Sequence, residues 1–243
     1  MYRLFGAHGS SAFRSRAELP AQSLEMRLYS RKWCGLEAIQ NSAESFRVVS
    51  TQGCICRASV PYMGADIPLE AAFEFLKEGK LELHIIGDGP QKAALETMVD
   101  QMGVRGKVYF HGWVPHDEVH DRLRVCDFMA LPSIREFGGG VAVEAMALGV
   151  TPIVADYAGP SELVDEKSGI RVGFHDKKSL IGGIKQAIGD MIRSPETLHK
   201  LGAAARKKVQ EKLIWDAKAN QIMAIYDAVF AGKKSLNFLD YRN

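Results

Sequence analysis

The chain has 243 residues, of which 47% are hydrophobic and 25% charged, enough apolar material for one large packed domain or two small ones. No apolar run approaches the ~20 residues that a membrane-spanning helix needs, so we expect no transmembrane segment. A formal net charge of +2 is too small to indicate a nucleic-acid-binding protein.

Residues 1–60 differ from the rest of the chain. They carry eight Lys/Arg against four Asp/Glu and three of the four cysteines, and their helical periodicity is weak. Cys54 and Cys56 are separated by one residue rather than the two of a zinc knuckle, and no second pair follows, which favours reduced thiols in a cytosolic protein. The only strand candidate is Phe46–Val49. We therefore predict an irregular, truncated or non-native segment at 1–60 and a folded domain at 61–243.

From Gly64 onward, apolar runs alternate with helical periodicity. The patterns predict strands at 81–86, 107–110, 127–131, 152–155 and 169–172, and helices near 69–76, 95–102, 117–126, 140–149, 180–191, 196–212 and 215–230. Strands that alternate with helices pair in parallel through right-handed crossovers. The expected fold is thus an α/β, doubly wound parallel sheet, with ligands bound beyond the carboxyl ends of its strands.

The stretch from Pro132 to Gly149, PSIREFGGGVAVEAMALG, follows one of these strands and opens a helix with three glycines. A glycine-rich turn before a helix is a natural anion site, because free backbone N–H groups and the helix dipole both favour negative charge. Glycine also lets a ligand approach the main chain closely. This pattern predicts a phosphate-binding loop.

Two carboxylates, Glu136 and Glu144, flank the glycines eight positions apart. A carboxylate beside a diphosphate is repelled unless it faces hydrogen-bond donors, and sugar hydroxyls are such donors. The spacing therefore indicates a sugar-linked diphosphate, with phosphates on the glycines and hydroxyls on the acids. On spacing alone, an ordinary strand-loop-helix with two surface glutamates is an equal alternative.

The setting Pro-Ser-x-x-Glu…Glu-Ala-Met-Ala-x-Gly resembles the signature of family 4 retaining glycosyltransferases, which have the two-domain GT-B architecture. The resemblance covers about Gly64 to Phe230 and corresponds to the C-terminal, donor-binding half. It implies that Glu136 contacts the donor sugar with a catalytic, electrostatic role and that Glu144 binds the ribose hydroxyls. It also implies that sugar and phosphate contact the main chain of Phe137, Gly138, Gly139 and Gly140.

Two further loops contribute to the predicted donor site. Gly87-x-Gly89 alone indicates only a tight turn, but the resemblance implies that it borders the donor. The residues after the next strand, Trp113 and Val114, match the family's base-binding stretch. Trp113 as a core or rim aromatic is the alternative interpretation.

The leaving diphosphate needs positive charge, which the resembled family supplies with an Arg and a Lys after its first strand. Arg57 is the best match for the arginine, whereas Met63 stands where the lysine is expected. Losing one such donor costs on the order of 3 kcal/mol of transition-state stabilisation.

His116 and His120 have the i, i+4 spacing of a helical metal pair, but the pattern lacks the glutamate of a zincin and no third ligand is evident. A solvated helix face is the favoured interpretation. The resemblance agrees, since GT-B enzymes generally hold the diphosphate without metal, so we expect neither metal nor other cofactor.

The sequence thus predicts a hexosyltransferase that uses a nucleoside-diphosphate sugar and an alcohol acceptor (glycan, lipid or small molecule), with activity of this chain alone in doubt. An inactive nucleotide-sugar-binding remnant and an unrelated doubly wound module for another phosphorylated ligand are the alternatives. We expect a cytoplasmic protein without nucleic-acid partners. Contact with the inner membrane face and with a separate N-terminal half stay open.

Overall fold

The computed structural model describes the backbone of residues 51–56 and the residues 64–134 and 136–232. The predicted strand Phe46–Val49 and the candidate Arg57 lie outside these residues. The strands are β1 Thr51–Cys56, β2 Leu81–Ile86, β3 Val108–Gly112, β4 Phe128–Leu131, β5 Thr151–Ala155 and β6 Ile170–Val172. The helices are α1 Asp66–Lys77, α2 Lys92–Met102, α3 His116–Arg124, α4 Gly140–Leu148, α5 Ala158–Leu163, α6 Lys177–Arg193, α7 Pro195–Lys208 and α8 Trp215–Phe230.

All six strands form one parallel sheet in the order β3-β2-β1-β4-β5-β6. The order reverses between β1 and β4, and the crevice at such a switch point is where doubly wound sheets bind their ligands. The glycine-rich stretch leaves β4 and therefore starts at this crevice. The predicted α/β, doubly wound fold is confirmed, with β6 at the sheet edge as expected.

Strand β1 lies at the centre of the sheet, within the segment that the sequence predicts to be irregular. It pairs along its whole length with β2, from Thr51 opposite Leu81 to Cys56 opposite Ile86, and with β4 on its other side. The sheet therefore includes Thr51–Cys56, which lie on the N-terminal side of the predicted boundary at 60/61. The sequence TQGCIC contains a glycine and few strand-forming side chains, so its two neighbours, rather than its own propensity, determine this strand.

The alternation of side chains along the strands supplies a separate apolar core to each face of the sheet. In β4, Phe128 and Ala130 join the cluster under α1, α2 and α6, whereas Met129 and Leu131 join the cluster under α3, α4 and α7. All four side chains are buried, which explains why β4 is a continuous apolar run.

The helices begin and end largely where the sequence predicts. Gly149, in a left-handed conformation with φ of 80°, ends α4 as the expected C-terminal cap. Helix α6 begins with a capping box, in which the Asp176 carboxylate accepts from the Ser179 N–H and the Ser179 hydroxyl accepts from the Asp176 N–H. In the part of the chain that the structure describes, no helix is long and apolar enough to cross a membrane.

Candidate nucleotide-sugar site

The loop after β4 forms a compact turn that leads into α4. The Glu136 Oε1 atom accepts a hydrogen bond from the Gly139 N–H at 3.1 Å, and Gly139 adopts a left-handed φ of 63°. Helix α4 then begins at Gly140 without a side-chain cap. Gly140 itself is exposed, and the N-terminus of a helix favours negative charge, so this helix start is a candidate anion site.

Helix α5 fixes this turn from outside. A Cβ atom on Gly159 would lie 2.0 Å from the Phe137 carbonyl oxygen, and one on Gly139 would lie 3.1 Å from atoms of Pro160 and Leu163. These two glycines let the turn pack directly on α5. The Phe137 ring, by contrast, is 98% exposed, so the turn presents main chain and one aromatic side chain to solvent.

The loops after β2 and β3 meet at the same edge of the sheet. The Gly87 N–H donates to the Gly112 carbonyl oxygen at 2.8 Å, and both residues, like Gly89, have positive φ values. Trp113 is 76% exposed, so it is a rim residue rather than a core aromatic. Val114 is partly buried against the apolar cluster under α4. The structure thus holds these candidates at one edge, with Trp113 accessible to a ligand.

Glu144 lies in α4, where its side chain is 23% exposed and faces α3. Its Oε2 atom is 3.7 Å from Nε2 of His120, whose side chain is 13% exposed. One ligand atom each from His116, His120 and Glu144 lies within 4.8 Å of the others. Sequence spacing does not identify this third residue, because Glu144 is close to the two histidines only where α3 packs on α4.

Arg57 and Met63 belong to the stretch 57–63, and the described residues on either side of this stretch are Cys56 and Gly64. Cys56 ends the central strand β1, next to β4. A Cβ on Gly64 would be 3.5 Å from Cγ of Pro132, at the start of the glycine-rich stretch. Gly64, the described residue that follows this stretch, therefore lies against the start of the glycine-rich stretch.

A chain of three basic side chains supports the loop that contains Trp113. Nδ1 of His84 is 2.9 Å from Nε2 of His111, and Nδ1 of His111 is 3.0 Å from a guanidinium nitrogen of Arg122. Since a guanidinium only donates, His111 accepts through Nδ1, carries its proton on Nε2 and donates it to His84. His111 directly precedes Gly112, so these hydrogen-bonded side chains link β2, β3 and α3 beneath the loop.

Both histidines are held neutral. Burial lowers the pKa of His84 below its ordinary value, and Glu82 opposes this in part. Burial also lowers the pKa of His111, assisted by the positive charge of Arg122. Protonation of either ring would place two N–H donors opposite each other and break one of these two hydrogen bonds.

The strand order, the crevice at the switch point and the uncapped, glycine-rich start of α4 together define a doubly wound α/β protein with a candidate anion site at the carboxyl ends of its strands. Residues 57–208, which are more than half of the chain, match the model of the glycosyl transferases group 1 family. The chain belongs to the glycosyl transferases group 1 family.

Relatives support the same family. The chain is 30% identical over 164 residues to an uncharacterized glycosyltransferase of Methanocaldococcus jannaschii, covering 67% of this chain and 41% of that protein. It is 27% identical over 177 residues to the MMP alpha-(1->4)-mannosyltransferase of Mycolicibacterium hassiacum, covering 73% and 43%. The chain thus spans less than half the length of either relative.

Solved structures share the fold. The C-terminal domain of a group 1 glycosyl transferase, LpcC from Francisella tularensis, superposes with a TM-score of 0.61 at 22% identity, covering 68% of this chain and 87% of that domain. HepE from Anabaena, solved in complex with UDP, gives a TM-score of 0.62 at 18% identity and covers 82% and 52%.

Proposed function

We propose that the chain is the donor-binding part of a family 4 retaining glycosyltransferase, which moves a hexose from a nucleoside-diphosphate sugar to an alcohol acceptor. The observation that carries this proposal is the uncapped, exposed start of α4 at the switch point, with Glu136 before it and Glu144 within it. Phosphate oxygens accept from the N–H groups of this turn, and the helix dipole favours their charge.

Each candidate side chain has a role in this arrangement. Glu136 accepts from the Gly139 N–H and so holds the turn, and a carboxylate at this place suits the hydroxyls of the donor sugar. Glu144 accepts from the ribose hydroxyls. The exposed Trp113 and the main chain of Val114 border the base, and the Gly87–Gly89 turn closes that side.

Negative charge on the leaving diphosphate is stabilised by the N–H groups of the turn and by Arg57, without a metal ion. The acceptor, a glycan, lipid or small alcohol, binds in a cleft completed by an N-terminal half. Because the chain spans only 41% and 43% of two relatives' lengths, transfer belongs to the complete enzyme. One mannosyltransferase among the relatives is named as GDP-mannose-dependent, which makes GDP-mannose a donor to test beside UDP-sugars.

A second candidate function is binding of a nucleotide sugar without transfer. Met63, at the position where the resembled family carries a lysine, favours it, because methionine offers the diphosphate no charge. Donor hydrolysis or transfer by the purified chain separates the two functions. Met63→Lys tests the position directly: gained turnover places residue 63 at the phosphates, whereas unchanged turnover favours binding without transfer.

Calorimetry with UDP- and GDP-sugars tests the proposed donor site, with Glu144→Ala as the variant. Loss of a hydrogen-bond partner to the ribose should weaken binding about tenfold to hundredfold, since hydrogen bonds to charged groups contribute roughly 1.5–3 kcal/mol. Glu166→Ala is the matched control, because Glu166 is an exposed acid in the loop before β6, at the opposite edge of the sheet. Equal affinity of Glu144→Ala and parent would refute the ribose role.

A further inference from the structure

We propose that His116, His120 and Glu144 form a binding site for a divalent transition metal of the zinc or cobalt kind, and that this metal competes with the nucleotide sugar. The metal site depends only on the geometry of α3 and α4. The competition rests on the proposed function, since it requires that Glu144 binds the donor.

Two histidines one helical turn apart form the first half of the site. His116 is the first residue of α3, and His120 follows at i+4 on the same face. Their ring centroids are 5.0 Å apart in an edge-to-face arrangement. Histidines at this spacing can bind one metal ion together, as they do in helical zinc motifs.

Glu144 completes a three-ligand set from the neighbouring helix. Its Oε2 atom is 3.7 Å from the His120 nitrogen, and all three ligand atoms lie within 4.8 Å of one another. Ligand atoms around tetrahedral zinc are about 3.3 Å apart, given bond lengths of about 2.0–2.1 Å. The exposed His116 side chain can supply most of this contraction by a rotamer change.

The donor set selects the class of metal. Two imidazoles and one carboxylate are the three protein ligands of several zinc sites that keep one open position. Imidazole suits zinc, cobalt, nickel and copper, whereas magnesium and calcium prefer oxygen ligands. The site is therefore unlike a magnesium site for a diphosphate, and it is compatible with a transfer step that uses no metal.

The surroundings keep the ligands in place. Val119 and Leu123, on α3, pack into the apolar cluster that contains Val141, Ala145 and Met146 of α4. His120 and Glu144 are mostly buried at this contact, and His116 is open to solvent. A metal ion can enter past His116 and bind a pair that is already assembled.

The consequence follows from the double role of Glu144. A carboxylate bound to a metal cannot accept freely from ribose hydroxyls, so the two ligands exclude each other at this residue. By linkage, a bound nucleotide sugar must weaken metal binding by the same factor by which the metal weakens nucleotide-sugar binding. The metal would thus act as an inhibitor.

Co²⁺ titration of the full chain, followed by visible absorption, tests the metal site. We expect tetrahedral cobalt bands without thiolate charge transfer, and at least about tenfold weaker binding in His116→Gln and in Glu144→Gln. His199→Gln, which changes an exposed histidine on α7, should bind Co²⁺ like the parent. Thiolate bands, or a Glu144→Gln variant that binds Co²⁺ as tightly as the parent, would overturn the site.

Calorimetry of nucleotide-sugar binding with and without saturating Co²⁺ tests the competition. We expect the apparent Kd to rise at least about tenfold in the parent and to stay constant in His116→Gln. An unchanged Kd in the parent would overturn the competition. If no nucleotide sugar binds even without metal, the proposed function fails, and the cobalt titration still decides the metal site.

Discussion

Gly159 lies so close to the main chain of Phe137 that a Cβ atom at position 159 would stand 2.0 Å from the Phe137 carbonyl oxygen. This contact joins the start of α5 to the turn that precedes α4. The proposed phosphate site is therefore held by a neighbouring helix as well as by its own hydrogen bonds. Any side chain at position 159 must push the turn away.

Gly159→Ala should displace the turn and weaken nucleotide-sugar binding about tenfold or more, and it should destabilise the fold by about 1–3 kcal/mol, as overpacking usually does. Calorimetry and urea unfolding measure the two effects. Gly106→Ala is the control, because a Cβ there meets nothing within 4 Å. Parent-like donor affinity in Gly159→Ala would show that the turn does not hold the donor.

Two adjacent glycines of α6 should respond in opposite directions to alanine. A Cβ at Gly182 meets nothing within 4 Å, so Gly182→Ala should stabilise the helix by about 0.5–1 kcal/mol. A Cβ at Gly183 would lie 2.3 Å from a methyl group of Val172, so Gly183→Ala should destabilise by about 1–3 kcal/mol. Urea unfolding of both variants checks this, and equal effects would contradict the packing of α6 on β6.

Asp165 should make stability depend on pH in the acid range. Partial burial raises the pKa of its carboxyl, but hydrogen bonds from Lys208, Ser168 and the Lys167 N–H lower it to about 2. Because the folded pKa lies below the unfolded one, this stability is present above pH ~4 and lost as the pH falls towards 2.

Asp165→Asn should therefore cost about 1 kcal/mol at pH 7, a value reduced for solvent screening because the Asp165 side chain is 50% exposed. The difference from the parent should shrink below pH ~4. Asp190→Asn, which breaks an exposed pair with Arg193 on α6, should change stability by less than about 0.5 kcal/mol. A difference that persists at pH 2 would exclude the ionised carboxylate as its source.

Mild acid should also destabilise the protein through His84 and His111. Both have a lowered pKa in the folded state, so the unfolded chain takes up protons first as the pH falls below ~6.5. The stability that the two neutral histidines contribute is complete above that pH, and it is lost as the pH falls towards their lowered pKa in the folded state. His111→Gln should flatten the unfolding free energy between pH 7 and 5, whereas His175→Gln, at an exposed position, should not. A parent profile already flat in this range would refute a lowered pKa for these two half-buried histidines.

The fold was largely predictable because most of its elements carry local signals. Strand β2 occupies the predicted residues 81–86, and Gly149 caps α4 as expected. Strand β1 was not predictable, since its hydrogen-bonding neighbours are distant in sequence and its own composition is weak. Local pattern identifies an element only where the residues themselves favour it.

The same distinction applies to the candidate site. The glycine turn and its flanking acids form one continuous motif, so the sequence reveals them. The support of Phe137 by Gly159 and the approach of Glu144 to His116 and His120 depend on contacts between separate elements. The two histidines were recognisable as a pair, but their third partner is defined only by the packing of α3 on α4.

The central position of β1 determines where the chain can be shortened. Removal of residues 1–60 would take away the strand that joins β2 to β4, and both neighbours would become open sheet edges. Unpaired edges recruit strands from other molecules. A fragment that starts at residue 61 should therefore aggregate, whereas one that retains Thr51–Cys56 keeps both halves of the sheet joined.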